Sequence, residues 1–203
     1  MSLSPKSSDS LQAAKSVLRR QMRALLAGIS KDVAAEESNR IWGTLQLKLV
    51  WQQAARVMLY MPIKGEVNIL PLIEAGLASG KVICLPRFEE GSRCYGPARV
   101  KVPATELRPG PFGVLEPPVV AEAVPLNQLD LVLVPGLAFA TCGHRLGRGQ
   151  GMFDRMLASV RGTKCGVAFD QQLTRSLPVE PHDVPMSVIL TPTRWLTFDQ
   201  RAI

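Results

Sequence analysis

The sequence predicts an α/β fold, a three-layer sandwich with a mostly parallel central sheet flanked by helices. Two observations carry this expectation. Short apolar runs of strand length alternate along the chain with segments of helical spacing, the order that builds βαβ units. Residues 129–134, LDLVLV, are almost uninterruptedly apolar, as a central parallel strand covered on both faces must be. The chain has 203 residues, 46% hydrophobic and 20% charged, enough for one domain with a real core. It is too apolar to be wholly disordered, and no run approaches the ~20 residues that span a bilayer.

The elements follow in order. Residues 1–9, Ser-rich and containing Pro5, read as a flexible tail. Leu11, Ala14, Val17, Leu18, Met22 and Leu25 fall at helical spacing and predict a helix over 10–26, closed by Gly28. Ser30 is a candidate N-cap for a second helix running toward Val50. Residues 56–61 form a short strand halted by Pro62. Residues 69–79 form a short helix with Gly80 past its end, and 81–85 a strand halted by Pro86. The stretch 89–127 is rich in Pro and Gly. It reads as one or two strands around 94–102 and a long irregular loop, of a kind that is often functional. After the central strand, 149–160 reads as a helix, 164–169 as a strand and 187–191 as the last strand. No repeat or Gly/Ser linker divides residues 10–203, which are expected to form a single domain.

The net charge is +7 and the pI about 9.6. A basic chain fits a nucleic-acid binder or a site for small polyanions. The excess sits in two distant blocks, residues 1–50 and 141–175, and aromatics are only 5%. None is interleaved with the basic clusters as a base-stacking platform requires, which favours a small anionic ligand. Cys84, Cys94, Cys142 and Cys165 show no paired spacing, which argues against structural zinc and for reduced thiols in a cytosolic protein. Residues 1–30 are Ser-rich and basic with Asp9 the only acid, a transit-peptide composition.

The informative segment follows the central strand: VPGLAFATCGHRLGRGQGMFDRML, residues 134–157. A buried strand runs into a glycine-rich basic loop and then a helix. Gly143, Gly147, Gly149 and Gly151 let the backbone approach a ligand. Loop amides and a helix N-terminus suit an anion, Arg145 and Arg148 offer phosphate-binding forks, and Asp154 can hold a divalent cation. The Walker A and dinucleotide patterns fail on spacing, with Arg148 and Asp154 where each needs a glycine. From these residues alone, a glycine-rich turn with solvated arginines stays open beside the anion cradle.

R-L-G-R-G-x-G-x-x-D, after a strand followed by P-G-x-x-F, resembles the signature of the 5-formyltetrahydrofolate cyclo-ligase (5,10-methenyltetrahydrofolate synthetase) family. Further resemblances follow in the same order along the chain. They are K-x-x-L-R from Lys15 to Arg19, Y-x-P-x-x-x-E-V from Tyr60 to Val67, LPR ending at Arg87, F-G-V-L-E-P from Phe112 to Pro117, and L-P-V-E-x-H-D-V-P from Leu177 to Pro185. The resemblance implies an enzyme that uses ATP and Mg²⁺ to close 5-formyltetrahydrofolate to 5,10-methenyltetrahydrofolate, releasing ADP and phosphate. Phosphoryl transfer to the formyl oxygen, which is otherwise a poor leaving group, precedes attack by N10.

The resemblance also implies roles. Lys15 and Arg19, one turn apart on a helix face, would bind the nucleotide. So would the loop Arg145, Leu146, Gly147, Arg148, Gly149, Gln150, Gly151, Met152 and Phe153. Arg148 through Met152 would also meet the folate, together with Met61 and Glu66, whose carboxylate can accept pterin N–H groups. Arg145, Arg148 and Asp154 are the candidate catalytic residues, and Asp154 and Asp183 the candidate metal ligands. Read locally, Lys15 and Arg19 also fit a solvated helix face, Glu66 a loop glutamate, Asp183 a turn aspartate and His182 a loop residue.

The family commonly has two aromatics before the aspartate. Here they are Met152 and Phe153, so a tyrosine hydroxyl expected near the substrate is missing. The aspartate often found after Phe139 is Ala140, and Gln150 takes a permissive position. Met152 motivates an alternative, an ATP-using relative acting on another small amide or folate-like substrate. Nucleic-acid binding remains the reading that rests on pI alone. If Lys15 and Arg19 belong to the first helix, the preceding tail is too short for a usual presequence. A cytosolic monomer is then expected, acting on ATP and 5-formyltetrahydrofolate, possibly polyglutamylated, with neither nucleic acid nor membrane as partner.

Overall fold

The structure, a computed structural model, describes residues 5–198. The elements run α1 (Pro5–Ala27), α2 (Lys31–Gln46), α3 (Leu49–Gln52), β1 (Arg56–Met58), α4 (Leu70–Ala78), β2 (Val82–Glu89), β3 (Cys94–Val100), α5 (Pro103–Glu106), β4 (Arg108–Pro109), β5 (Leu115–Glu116), β6 (Leu131–Val134), β7 (Ala138–Ala140), β8 (Arg145–Leu146), α6 (Met152–Leu157), β9 (Thr163–Val167), β10 (Leu173–Thr174), β11 (Val188–Leu190) and β12 (Trp195–Thr197). Seven strands form the main sheet in the order β12-β11-β9-β6-β1-β2-β3. The five inner strands are parallel, and the edge strands β3 and β12 are antiparallel to their neighbours. This is the expected mostly parallel α/β sheet.

Alternation along the strands sorts the core onto two faces. Val57, Leu131 and Leu133 pack with Met22, Leu26, Ile41, Leu45 and Leu72 from α1, α2 and α4. Met58, Val132 and Val134 face the other way, against Met156 and Leu157 of α6. Helices therefore cover both faces, as the apolar central run requires. No helix among the described residues is long and apolar enough to cross a membrane.

Several boundaries differ from the sequence expectation. The first helix begins at Pro5, so residues 5–9 of the expected tail are helical, while residues 1–4 lie outside the described residues. Proline is well tolerated in a first turn, where its missing N–H would be unpaired anyway. The buried stripe of α1 also shifts. Lys15, Met22 and Leu26 are buried, while Val17 and Leu25 are exposed, because Lys15 turns inward to meet the half-buried carboxylates of Glu180 and Asp183. Ser30 caps α2 as expected, accepting from the Val33 N–H at 3.3 Å.

Pro86 does not halt its strand, since β2 continues to Glu89 with Pro86 opposite Pro97 of β3. Cys84 gives its carbonyl to the Leu59 N–H on the β1 side, and Pro97 gives its carbonyl to the Val124 N–H on the outer side. Residues of this parity turn their polar groups away from the β2–β3 ladder, so neither proline deletes a bond it needs. The outer edge of β3 is lined by residues 122–124: the Arg99 N–H bonds the Glu122 carbonyl, and Ala98 bridges Ala123.

The helix expected over 149–160 is the six-residue α6, preceded by Gly151 in the left-handed region at φ 63°. The first residues of the expected helix instead stay in the loop that carries Gly149 at φ 108°. The segment before it, expected as one loop, holds the β7–β8 hairpin, which joins β10 in a small sheet.

Topology fixes where a ligand can enter. The chain leaves β1 through α4 toward β2 and leaves β6 through α6 toward β9, in opposite directions along the sheet. The crevice beyond the carboxyl ends of two such neighbours is the usual ligand position in open α/β sheets.

Candidate functional site

A cleft opens at that point. Tyr60 and Met61, just past β1, and Pro135 and Gly136, just past β6, form its floor. Lys15, Arg19, Met61, Glu66, every residue from Arg145 to Asp154, and Asp183 all line it. The sequence-predicted positions therefore meet at one place, although they come from α1, the β1–α4 connection, the β8–α6 loop and the segment before β11.

Four ion pairs, made by three basic residues, organise one end. Lys15, 4% exposed at its side chain, donates to Glu180 Oε2 at 2.8 Å and to Asp183 Oδ2 at 2.6 Å. Asp183 Oδ2 also accepts the Glu180 backbone N–H at 2.8 Å. Arg145, 3% exposed, gives Nη2 to both oxygens of Asp154 at 2.9 Å. Arg148 gives Nε and Nη2 to Glu66 Oε1 at 3.1 and 2.9 Å. The buried charges Lys15 and Arg145 are each paired, as their low exposure demands, while Arg148 is exposed and covers the buried Glu66 carboxylate.

The loop backbone is shaped around these side chains. A Cβ on Gly147 would lie 2.8 Å from Arg145 Nη1, closer than real contacts allow. Gly149 takes the left-handed region that favours glycine and packs beside the Arg19 guanidinium. Arg19 in turn donates Nε to the Gly147 carbonyl at 3.0 Å, tying α1 to the loop. The Val184 N–H reaches Asp154 Oδ1 at 3.4 Å, so Asp154 and the 180–183 turn share one rim.

Electrostatics follow from burial and partners. Burial raises the Glu66 carboxyl above the usual carboxylate range, while Arg148 and the Ile63 N–H act in the opposite direction. Hydrogen bonding to Lys15 holds Glu180 below that range. The acids at this rim offer hard oxygen donors, the type that suits Mg²⁺. Among the described residues Asp183 Oδ1 accepts no hydrogen bond, and Glu180, His182 and Asp183 place ligand atoms within 4.8 Å of one another. His182 itself is exposed. The donor set fits a hard divalent cation.

The other end of the cleft is aromatic, and of its residues only Phe153 was assigned a role from the sequence. Tyr95 of β3, Phe112 between β4 and β5, and Phe153 of α6 line it. Phe88 and Phe112 meet edge-on at 5.2 Å. Glu116, buried there, accepts the Phe88 N–H at 2.8 Å through Oε2. Among the described residues its Oε1 has no partner, and it lies under Gly110, where a Cβ would come within 2.4 Å. Phe112 and Glu116 sat in a recognisable motif without a role, and Tyr95 carried no signal, because only the β2–β3 pairing brings it to the cleft. Glu180, likewise unassigned, lay in the same short motif as Asp183.

Known proteins resemble this chain in sequence and in fold. The family model described as the 5-formyltetrahydrofolate cyclo-ligase family matches residues 11–192. The 5-formyltetrahydrofolate cyclo-ligase of Escherichia coli K12 is 33% identical over 73% of this chain and 91% of its own length. That of Mycolicibacterium smegmatis is 32% identical over 89% and 94%. Among solved structures, the NMR structure of Aquifex aeolicus 5,10-methenyltetrahydrofolate synthetase superposes with a TM-score of 0.83 at 34% identity, covering 93% of this chain and 95% of that one. With a family match over most of its length and relatives covered nearly end to end, the chain belongs to the 5-formyltetrahydrofolate cyclo-ligase family.

Proposed function

We propose that the chain closes 5-formyltetrahydrofolate to 5,10-methenyltetrahydrofolate at the expense of Mg·ATP. Family membership supports the reaction. The observation that carries the assignment to this cleft is the convergence of Lys15, Arg19, Arg145 and Arg148, from two distant stretches, beside an aromatic end. Such a cleft suits one polyphosphate and one flat heterocycle.

The chemistry balances as follows. The formyl oxygen attacks the γ-phosphorus, an O–P bond forms and ADP leaves. N10 then attacks the activated formyl carbon, the C–O bond breaks, phosphate departs and the N10 proton goes to solvent. Arg145, Arg148 and the loop from Leu146 to Phe153 cradle the phosphates and hold the γ-phosphoryl group in line. Lys15 and Arg19 close over them from α1. Met61 and Glu66 hold the folate, with the segment from Arg148 to Met152 between the two ligands. Asp154 and Asp183 hold Mg²⁺, which when bound draws charge from the phosphoryl oxygens. Arg145 and Lys15, each paired with one of those acids, line the same cleft and would offer their charge to the phosphates.

The same reading makes the chain a cytosolic monomer acting on small molecules, with neither nucleic acid nor membrane as partner. Its support is that the basic groups named above turn into one cleft instead of forming an outward stripe. Growth of the methenyl product's absorbance should require both ATP and Mg²⁺. Absence of that signal at saturating ATP and 5-formyltetrahydrofolate overturns the reaction.

A further inference from the structure

The aromatic end of the cleft holds a hydroxyl, that of Tyr95, to which no described residue bonds. The Tyr95 ring is fixed on three sides: it lies 6.0 Å from Phe88 and 6.5 Å from Phe112, both edge-on, and 6.1 Å from Phe153, tilted. The strand end that carries it is tied to α6. Arg155 donates Nη2 to the Arg93 carbonyl and Nε to Cys94 Sγ, each at 3.2 Å. The phenol is therefore held at a set distance from the first turn of α6 and from the loop before it.

Among the described residues the Tyr95 hydroxyl has no hydrogen-bond partner, although Tyr95 lines the cleft. The other tyrosine of the chain shows the contrast. Tyr60 is buried and its hydroxyl donates to the Val67 carbonyl at 3.0 Å, the usual outcome for a phenol placed by packing. At Tyr95 a phenylalanine would satisfy every ring contact, so packing does not account for the oxygen. Burial and the charge of Glu116 push the phenol up to about 12, which keeps it a donor throughout the neutral range.

We propose that Tyr95 is a specificity-determining ligand contact: its ring walls the flat pyrimidinone half of the reduced pterin, and its hydroxyl donates to an acceptor on that ring. The inference rests on the folate reading given above. It assigns to β3 a polar contact that Met152, in the first turn of α6, cannot make, since a thioether has no hydrogen to donate.

The test uses the full chain with two substitutions, Tyr95→Phe and Tyr95→Leu, read by calorimetric titration and by steady-state kinetics. Tyr95→Phe keeps the ring contacts and should retain the melting temperature. It should bind 5-formyltetrahydrofolate roughly 3- to 10-fold more weakly, the worth of one neutral hydrogen bond. KM for the folate should rise in step, and KM for ATP should stay within about twofold. Tyr95→Leu should lose more folate affinity than Tyr95→Phe, because stacking goes too. Wild-type folate affinity in Tyr95→Phe, or equal losses for folate and ATP, overturns the proposal. The titration reads Tyr95 even if no methenyl product forms, so failure of the reaction and failure of this contact are separate results.

Discussion

The two ends of the cleft are built on opposite principles. At the charged end every buried ion already has a counter-ion: Lys15 has Glu180 and Asp183, and Arg145 has Asp154. Arg148 and Glu66 complete the pattern. At the aromatic end rings lean on rings, and among the described residues one hydroxyl and one carboxylate oxygen have no partner. A ligand entering the charged end must exchange one set of ionic contacts for another, whereas one entering the aromatic end meets a prepared surface. The first arrangement makes selectivity depend on bringing charge of both signs, as a metal-bound polyphosphate does. The second makes it depend on shape.

Substitutions should separate these principles. The largest effect is expected for Asp154→Ala, which strands the buried Arg145 charge. Breaking a buried pair by removing one partner costs about 3–5 kcal/mol, readable by denaturant unfolding. Turnover should fall on the order of 100-fold or more, with loss of the metal dependence, as for removal of a major electrostatic contact.

Next is Lys15→Met. Glu180, now held below the usual range by Lys15, contributes stability that is present above its unfolded pKa and lost as pH falls through the depressed folded value. In the variant that acid-side loss should shrink, seen as a shallower fall in melting temperature between about pH 5 and pH 3. KM for ATP should rise roughly tenfold, about the worth of one charge-assisted hydrogen bond.

Arg148→Gln tests the pair across the middle of the cleft. Arg148 opposes the burial that raises Glu66, so its loss should lift that carboxyl further. The acid limb of kcat/KM against pH should then move to higher pH. An unmoved limb would detach Glu66 from the working form of the site. The smallest effect belongs to Phe112→Leu at the half-exposed rim. It should raise KM for folate a few-fold, in line with an aromatic contact of ~1 kcal/mol, and leave ATP untouched.

Legibility divides along the same line. The charged end could be read because its parts are short, contiguous motifs that carry the family resemblance: a glycine-rich run with arginines at fixed offsets, a Lys–Arg pair one helical turn apart, an acidic turn before Pro185; read locally, each also fitted a solvated or structural role. The fold class could be read from one continuous apolar strand and the alternation around it. The pairings could not. Glu66 meets Arg148 across 82 positions, and Lys15 meets Asp183 across 168, distances at which local spacing is silent. The aromatic end was hidden because the strand expected around 94–102 carries no local sign of its partner. Only the β2–β3 register, which sets Tyr95 opposite Phe88, brings that ring to the cleft. The shortening of α6 has the same origin, since the φ 108° of Gly149 and φ 63° of Gly151 depend on side chains from α1 and from α6 itself.

The segment 122–124 laid along β3 has a consequence for the protein at high concentration. A sheet's last strand normally offers a free row of donors and acceptors, a template for association with other chains. Here the outward groups of Arg99 and Pro97 are already taken by Glu122 and Val124. At the opposite margin β12 is only three residues long. The fold thus blunts both borders of its sheet, one by covering and one by brevity, and guards a crowded solution of this protein against strand-to-strand aggregation.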